Sequence, residues 1–292
     1  MHRFILHNDE IHEASEKVLS PGQIGLLSGW GVFSTIKVIE GVQFAFERHW
    51  ARMSRDAALM RVALPCGAAE LESNLARLVE KNGVTMATMR VVVVRNRGGV
   101  WEAPGQARAS DVIAFTSDIK DWGESVKLNW VRQARHAASV FAGTKILAWA
   151  MNLTWLEEAQ CGGFDEVILL NEREEVAECT SANIFAAKGS EVWTPPLSSG
   201  CLPGITRELL LSEVRAPGIR VTERVLTPAD LEGADEVFIT STTRDLLPVS
   251  KIGEREIANS GHTREALQTA FSGYVREYVA QRKREPAPAR QG

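Results

Sequence analysis

Cysteine is scarce in this chain, with four residues among 292, and long apolar runs are missing. The cysteines (Cys66, Cys161, Cys179 and Cys201) are scattered without paired spacing, so the sequence predicts neither a disulfide framework nor a zinc site or other metal centre. No apolar run approaches the ~18 residues of a membrane span, and the first residues turn polar too early for a signal peptide. We therefore expect a protein of the reducing cytoplasm, with no membrane partner.

An excess of positive charge is also absent. The chain has 33 Lys and Arg against 37 Asp and Glu, which gives a formal net charge of -4. Nucleic acids and anionic membranes favour clustered Lys and Arg, so neither is expected as a partner. The 45% of hydrophobic and 24% of charged residues are typical of a soluble globular protein. The length is sufficient for two domains of ~100 to 200 residues each.

A polar stretch at residues 117–124 lacks periodicity and divides the chain into two parts. We predict a small N-terminal α/β domain at residues 1–118, a linker at 119–125 and a larger C-terminal α/β domain at 126–282. The last residues, 283–292, have nothing to bury and are predicted to form a loose tail. The expected fold class is therefore α/β, with an α+β arrangement of two domains.

Apolar periodicity predicts the elements of both domains. Strands are expected at residues 4–6, 29–39, 89–95, 112–115, 126–131, 166–170, 184–187, 192–194, 219–225 and 236–241. Helices are expected from residue 47, around residues 71–79, and at 147–159, 204–214 and 262–282. The continuous β-branched run at 89–95 suits a central strand buried on both faces. Thr227 and Pro228 are typical of the start of a further helix, with Thr227 as the cap.

Three separated segments contain the residues best suited to chemistry. Lys145 has small and apolar neighbours, Glu178 precedes a polar turn at residues 179–183, and Pro203-Gly204 opens a helix. A lysine amine can bind an aldehyde, a carboxylate can bind a ring nitrogen, and a helix N-terminus can bind a phosphate. An aldehyde, a ring nitrogen and a phosphate are the three groups by which pyridoxal phosphate is held.

The order of these segments resembles the class IV aminotransferases, which have fold type IV among pyridoxal phosphate enzymes. The likeness covers nearly the whole chain and is most specific at residues 178–207. It is also carried by His49-Trp50-Ala51-Arg52, Asp235-Glu236-Val237-Phe238 and Ser241-Thr242-Thr243. The family includes branched-chain and D-amino acid aminotransferases, (R)-amine transaminases and aminodeoxychorismate lyases. The resemblance implies a cofactor bound in a cleft between the two domains, and a homodimer.

The resemblance also implies roles for individual residues. Lys145 would form a Schiff base with the cofactor and move a proton to and from the substrate. Glu178 would keep the pyridine nitrogen protonated. The cofactor-binding residues implied are Arg52, Lys145, Glu178, Ile205, Thr206 and Thr242. His49 is expected to be a structural neighbour of Arg52, and Trp149, on a helix, either faces the cofactor or packs in the core.

Substrate choice has weaker signals in this sequence. The candidate substrate residues are Trp30, Arg90, Arg97 and Thr243. The arginines at positions 90, 95 and 97 are candidate partners of a carboxylate, and at least one is expected only to cap the turn at residues 95–99. Arg90 fits the Tyr-x-Arg-Pro pattern of branched-chain enzymes, whereas Thr88 replaces its tyrosine. The Arg-x-His pattern of D-amino acid enzymes is absent at residues 100–102.

The activity implied is transfer of an amino group between an amino acid or amine and a 2-oxo acid. Phe33-Ser34-Thr35 and the turn at 95–99 partly resemble aminodeoxychorismate lyases, which eliminate pyruvate to give 4-aminobenzoate. An (R)-amine or D-amino acid transaminase is a further alternative, and a non-catalytic protein of this fold is a remote one.

Overall fold

The computed structural model describes residues 1–102, 104–105, 107–259 and 261–284. Contacts divide the chain into two units. The first unit contains Met1–Lys120, Lys145–Trp149 and the residues from Val275 onward, and the second contains Asp121–Thr144 and Ala150–Tyr274. None of the helices in the described ranges has the length and apolar character of a membrane-spanning segment. The predicted domain boundaries remain a prediction, and residues 285–292 of the predicted tail lie outside the described residues.

The first unit is built around an antiparallel sheet with two long helices. Its elements are β1 (Phe4–His7), β2 (Glu10–Glu13), α1 (Ile24–Ser28), β3 (Gly31–Ile39), β4 (Val42–Gln43), α2 (Phe46–Leu59), α3 (Ala68–Asn82), β5 (Met86–Arg95) and β6 (Ser110–Ser117). The strand order in the described residues is β2-β1-β6-β5-β3-β4. Helix α2 packs on β3, and α3 packs on β1 and β6, so the core of this unit lies between the helices and the sheet.

Strand β5 is central, as the β-branched run predicted, because it pairs with β3 on one side and β6 on the other. Met89, Val91 and Val93 are fully buried on one face. The expectation of burial on both faces is wrong, since Arg90 and Val92 on the other face are only half-buried. The two long helices cover the face of Met89, Val91 and Val93, whereas on the other face only Val94 is fully buried.

Helix α2 buries polar as well as apolar side chains. Met53 and Ala57 face the core, and His49, Arg52 and Asp56 are buried on the same helix. His49 and Arg52 therefore lie one turn apart near the start of the helix. Buried polar groups usually have polar partners. These three side chains therefore indicate a group of polar contacts beside the apolar core.

The second unit contains a mixed sheet. Its elements are β7 (Val126–Arg135), α4 (Ala150–Cys161), β8 (Glu166–Asn171), β9 (Val176–Cys179), β10 (Asn183–Lys188), β11 (Glu191–Thr194), a 3-10 turn (Leu197–Ser199), α5 (Ile205–Ser212), β12 (Arg220–Glu223), α6 (Pro228–Glu232), β13 (Glu236–Ser241), β14 (Asp245–Ile252), β15 (Arg255–Glu256) and the start of α7 (Thr263–Arg284). The order among described strands is β12-β11-β10-β13-β14-β7-β8-β9, with β15 beside β14. Three pairs are parallel, namely β11/β12, β7/β14 and β7/β8.

The predicted helix at residues 147–159 is wrong at its start, because α4 begins at Ala150. The preceding segment is extended and pairs with β3. The backbone N–H of Phe33 donates to the Lys145 carbonyl at 3.0 Å, and that of Leu147 donates to the Gly31 carbonyl at 3.0 Å. These bonds satisfy backbone groups that a helix would otherwise pair locally. Trp149 is therefore not helical, and its ring meets the Phe33 ring edge-on at 6.1 Å.

The predicted start of α6 is confirmed. The Thr227 side chain accepts a hydrogen bond from the Asp230 backbone N–H, and the Asp230 carboxylate accepts one from the Thr227 N–H at 2.8 Å. Pro228 occupies the first helical position, where its missing N–H has no consequence.

We expect Thr227→Ala to lower the free energy of unfolding by about 1 kcal/mol, because it removes the side-chain acceptor of this cap. Urea unfolding followed by circular dichroism measures the change. Thr227→Ser keeps the acceptor and is the matched control. Equal stability of the two variants would contradict the cap's contribution.

Candidate active site

The backbone of Lys145 is held on both sides. Its carbonyl accepts from the Phe33 N–H, and its own N–H donates to the buried Asp56 carboxylate at 3.0 Å. Asp56 lies on α2 and is 1% exposed. Sequence reasoning missed this aspartate, because nothing in the chain indicates that helix α2 and residue 145 meet. The position of the lysine is thus fixed by the sheet and by a helix at once.

The Lys145 side chain lies against an aromatic ring that it shares with an arginine. Lys145 Nζ is 4.5 Å from the Phe33 ring centroid, and the Arg90 guanidinium carbon is 3.5 Å from it. The other described contact of Arg90 is a long one to the Thr35 hydroxyl, at 3.5 Å. Burial lowers the pKa of Arg90 to about 10. Within the described chain no carboxylate is paired with Arg90, so this side of the ring favours an anion.

Ser34, His49 and Arg52 form a buried hydrogen-bonded chain. Arg52 donates to Ser34 Oγ at 3.1 Å, and Ser34 Oγ lies 2.8 Å from His49 Nδ1. Since Arg52 can only donate, the Ser34 hydroxyl is free to donate to Nδ1, which assigns the imidazole proton to Nε2. His49 Nε2 has no hydrogen-bond partner in the described structure. Burial, then the charges of Arg52 and Lys145, hold the pKa of His49 well below its ordinary value, so the ring is neutral.

Glu178 lies on β9 with both carboxylate oxygens bound. Oε1 accepts from Arg135 Nε at 3.0 Å, and Oε2 accepts from the Leu202 backbone N–H at 2.9 Å. Its side chain is 12% exposed. Glu174, in the same acidic stretch, has a 43% exposed side chain and pairs with Arg132 near the surface. Burial and orientation thus distinguish Glu178 from this neighbour in a way that the sequence alone does not.

The start of α5 lies beside Glu178 through the same Leu202 segment. Asn183 donates to the Leu202 carbonyl at 2.8 Å, and a Cβ on Gly204 would lie 2.0 Å from Asn183 Oδ1. Gly143 also needs to be glycine, since its φ is +69° and a Cβ would lie 2.7 Å from the Cys201 carbonyl oxygen. No side chain caps α5 at Gly204. Its first N–H groups are therefore suited to an anion.

The end of β13 lies close to this helix. Thr240 pairs with Asn183 in the sheet, and α5 packs against β13. The Thr240 and Ser241 hydroxyls are buried and lack a hydrogen-bond partner in the described structure. Buried hydroxyls are usually satisfied, so two unsatisfied ones suit a bound polar group. Thr242 and Thr243 follow directly, in the turn to β14.

A buried ion pair connects that turn with the turn after Glu178. Arg244 lies 3.4 Å from Glu166 and donates to the Ser181 carbonyl at 3.2 Å. The Ser181 hydroxyl donates to the same oxygen of Glu166, Oε2, at 2.7 Å. Sequence reasoning missed both charged residues. The sequence signal that could have indicated Glu166 is its position at the start of the apolar strand β8.

Two of the candidate substrate residues have partners of their own. The Trp30 indole N–H donates to the Met60 carbonyl at 2.8 Å, and Arg97 donates to the Ala107 carbonyl at 3.1 Å. Arg95 donates to the Arg97 carbonyl at 2.6 Å and lies over the Trp30 ring. Arg95 is thus the arginine that caps the turn, as expected for at least one of the three.

The predicted residues are divided between the two units. Those in the first unit are Trp30, Arg52, Arg90, Arg97 and Lys145, and those in the second are Glu178, Ile205, Thr206, Thr242 and Thr243. The structure brings Lys145 and Arg90 together on Phe33. It also brings Glu178 together with the start of α5 through Leu202. The cofactor and substrate roles of all ten residues remain predictions.

The neutral His49 gives a pH dependence of stability. Burial lowers its pKa below the ordinary value of 6.5, so below that pH the unfolded chain binds a proton that the folded chain does not. Stability should therefore fall as the pH drops below this value, and His49→Gln should reduce that fall. Free energies of unfolding measured at about pH 7 and about pH 5 test this.

His262 provides the control, because its side chain is 94% exposed. His262→Gln should leave the pH dependence unchanged. An unaltered acid slope in His49→Gln would contradict the assignment of a neutral buried ring.

Comparison with known proteins places the chain in a family. A model of the family described as amino-transferase class IV matches residues 31–252. D-alanine aminotransferase from Bacillus licheniformis is 30% identical over 275 residues, which cover 93% of this chain and 96% of that protein. A putative branched-chain-amino-acid aminotransferase from Methanocaldococcus jannaschii is 31% identical over 238 residues, covering 80% of this chain and 83% of the relative.

A solved structure has the same fold. A branched-chain amino acid aminotransferase from T.th., in complex with N-(5'-phosphopyridoxyl)-L-glutamate, matches with a TM-score of 0.85 at 25% identity, and the match covers 95% of each chain. The predicted α+β fold of type IV is thereby confirmed. The family model spans well over half of the chain, and it includes the segments around Lys145 and Glu178. The chain therefore belongs to the class IV aminotransferases.

Proposed function

We propose that this protein is a pyridoxal phosphate-dependent aminotransferase that moves an amino group between an amino acid or amine and a 2-oxo acid. The observation that carries the proposal is Lys145, whose backbone is fixed by Phe33 and Asp56 while its amine lies on the Phe33 ring. A lysine with a fixed backbone, its amine beside an aromatic ring, suits covalent attachment to an aldehyde. The solved relative with a phosphopyridoxyl group joined to glutamate supports the cofactor.

The residues present fit this cofactor. The unsatisfied hydroxyls of Thr240 and Ser241 and the uncapped start of α5 are suited to a phosphate. We propose that Arg52, Ile205, Thr206 and Thr242 bind the phosphate, and that Glu178 binds the ring nitrogen. This division follows the ordinary preference of anions for helix N-termini and guanidinium groups, and of a protonated ring nitrogen for a carboxylate.

The protein residues would then share the proton transfers. The bound cofactor supplies an electron sink for the charge left at the substrate α-carbon. Lys145 Nζ would accept the proton from the substrate α-carbon and deliver it to C4′ of the cofactor, and the second half of the exchange would reverse this movement. Glu178 holds a proton at the ring nitrogen. His49, which is neutral, keeps Ser34 and Arg52 in place without adding a charge to the site.

Arg90 is the residue we propose for the substrate carboxylate. It is half-buried, lies against the same ring as Lys145, and has no carboxylate partner in the described residues. A substrate carboxylate would supply the missing anion, close to the Lys145 amine that lies on the same Phe33 ring. Thr243 is a second candidate, and Trp30 and Arg97 are weaker ones because their polar groups have backbone partners. We further propose a homodimer, on the resemblance alone, and a location in the cytoplasm, on the few and scattered cysteines.

Lys145 can be tested directly. Borohydride reduction of the protein incubated with pyridoxal phosphate should give a pyridoxyl adduct on the peptide containing Lys145, identified by mass spectrometry. Lys145→Ala should give no adduct and should lower kcat by more than about a thousandfold, since it removes the attached amine. Lys188→Ala, at an exposed position, is the control. An unlabelled wild-type protein, or an active Lys145→Ala variant, would contradict the proposal.

Arg90 and Arg97 can be separated by matched substitutions. Arg90→Gln should raise KM for the 2-oxo acid by about ten- to a hundredfold, the effect of losing a charge-assisted hydrogen bond. Arg97→Gln should leave KM within about twofold, as expected for an exposed charge. The reverse result would assign the carboxylate to Arg97.

A donor panel distinguishes the reactions. Both enantiomers of labelled amino donors are supplied with pyruvate or 2-oxoglutarate, and aminodeoxychorismate is supplied alone. Transfer of label to the 2-oxo acid supports the aminotransferase. Release of pyruvate from aminodeoxychorismate without any amino transfer would instead assign the lyase reaction.

A further inference from the structure

Arg135 is bound at each of its three guanidinium nitrogens. Nε donates to Glu178 at 3.0 Å, one terminal nitrogen donates to Asn152 Oδ1 at 3.2 Å, and the other donates to the Ala134 carbonyl at 3.2 Å. The side chain is 19% exposed. A guanidinium with every nitrogen occupied has little rotational freedom, so its partner carboxylate is also held in one orientation.

Asn152 extends this contact to the turn that follows Glu178. It lies on α4, is 8% exposed, and donates from Nδ2 to the Thr180 carbonyl at 2.8 Å. Arg135 therefore contacts Glu178 directly and the next turn through Asn152. The backbone N–H of Leu202 completes the arrangement at the other carboxylate oxygen.

The chain contains a second Arg–Glu ion pair that can be compared with Arg135 and Glu178. Arg132 lies on β7 with Arg135, and it pairs with Glu174 from the acidic stretch that contains Glu178. That pair is 70% and 43% exposed, against 19% and 12% for Arg135 and Glu178. Exposed ion pairs contribute little to stability. A largely buried carboxylate that loses its cation is left with an uncompensated charge.

We infer that Arg135 is a positioning residue for the ring-nitrogen end of the cofactor site. It fixes the direction of the Glu178 carboxylate and balances its charge, so that the carboxylate stays anionic and the shared proton stays on the ring nitrogen of the cofactor. Without the guanidinium, this largely buried carboxylate takes the proton itself, and the ring loses its positive charge. The inference rests on the proposed function.

The test uses the full chain loaded with pyridoxal phosphate labelled with 15N at the ring nitrogen. The 15N chemical shift distinguishes a protonated from a neutral ring, and absorbance titration of the apoprotein gives the cofactor Kd. Wild type and Arg132→Gln should give the protonated signal and the same Kd. Arg135→Gln should shift the signal toward the neutral ring and raise Kd about tenfold.

Kinetic parameters and two milder variants complete the test. Arg135→Gln should lower kcat while KM for the amino donor stays within about twofold, because all three guanidinium nitrogens of Arg135 are already bound to protein groups. Arg135→Lys keeps the charge and should restore part of the protonated signal. Asn152→Ala removes one hydrogen-bond acceptor of Arg135 and should give a smaller 15N shift toward the neutral ring.

Three results would overturn the inference. One is an Arg135→Gln protein with the signal and Kd of Arg132→Gln. If Arg135→Gln does not fold, an unchanged signal and Kd in Asn152→Ala would overturn it equally. A wild-type chain that binds no cofactor would reject the proposed function itself, and this inference with it.

Discussion

The pairing of residues 145–147 with β3 is the constraint on which the proposed chemistry depends. Two backbone hydrogen bonds, from Phe33 and Leu147, hold this segment extended along the edge of the strand. The lysine side chain consequently starts from a rigid sheet edge and not from a mobile turn. Asp56 adds a third bond from helix α2. Preorganisation of this kind reduces the entropy lost when a reactive group is brought to its partner.

Charge is distributed differently in the two units. In the first, Lys145 and Arg90 share an aromatic ring, and His49 remains neutral beside Arg52. In the second, the buried Glu166 and the largely buried Glu178 both have an arginine partner. A guanidinium such as that of Arg90, with no paired carboxylate in the described chain, favours binding of an anion, while paired carboxylates keep a fixed direction. The first arrangement suits recognition of acids, and the second suits orientation of a ring.

Much of the fold could be predicted because local signals and tertiary structure agree. The run at 89–95 is a central strand, and the cap at Thr227 starts a helix. The helix expected from residue 147 begins three residues later, at Ala150, because β3 supplies backbone partners that no local pattern indicates. Strand β14 was missed, and it contains Pro248, which ordinarily argues against a strand. Strand β9 was missed because four residues carry too little periodicity.

Only those residues of the candidate site that belong to sequence motifs could be predicted. Glu178 and the start of α5 were proposed from their order in the chain, whereas Asp56, Arg135 and Arg244 were not. Each of these three acts on a residue far away in sequence, through a contact that only the folded sheet or helix creates.

Gly143 adds a constraint to the segment that precedes Lys145. A side chain at this position would collide with the Cys201 carbonyl, and the adjacent Leu202 supplies the N–H that binds Glu178. A residue with no reactive atom of its own is thus mechanically linked to the carboxylate proposed for the ring nitrogen. A substitution at position 143 would therefore act on the orientation of a distant acid.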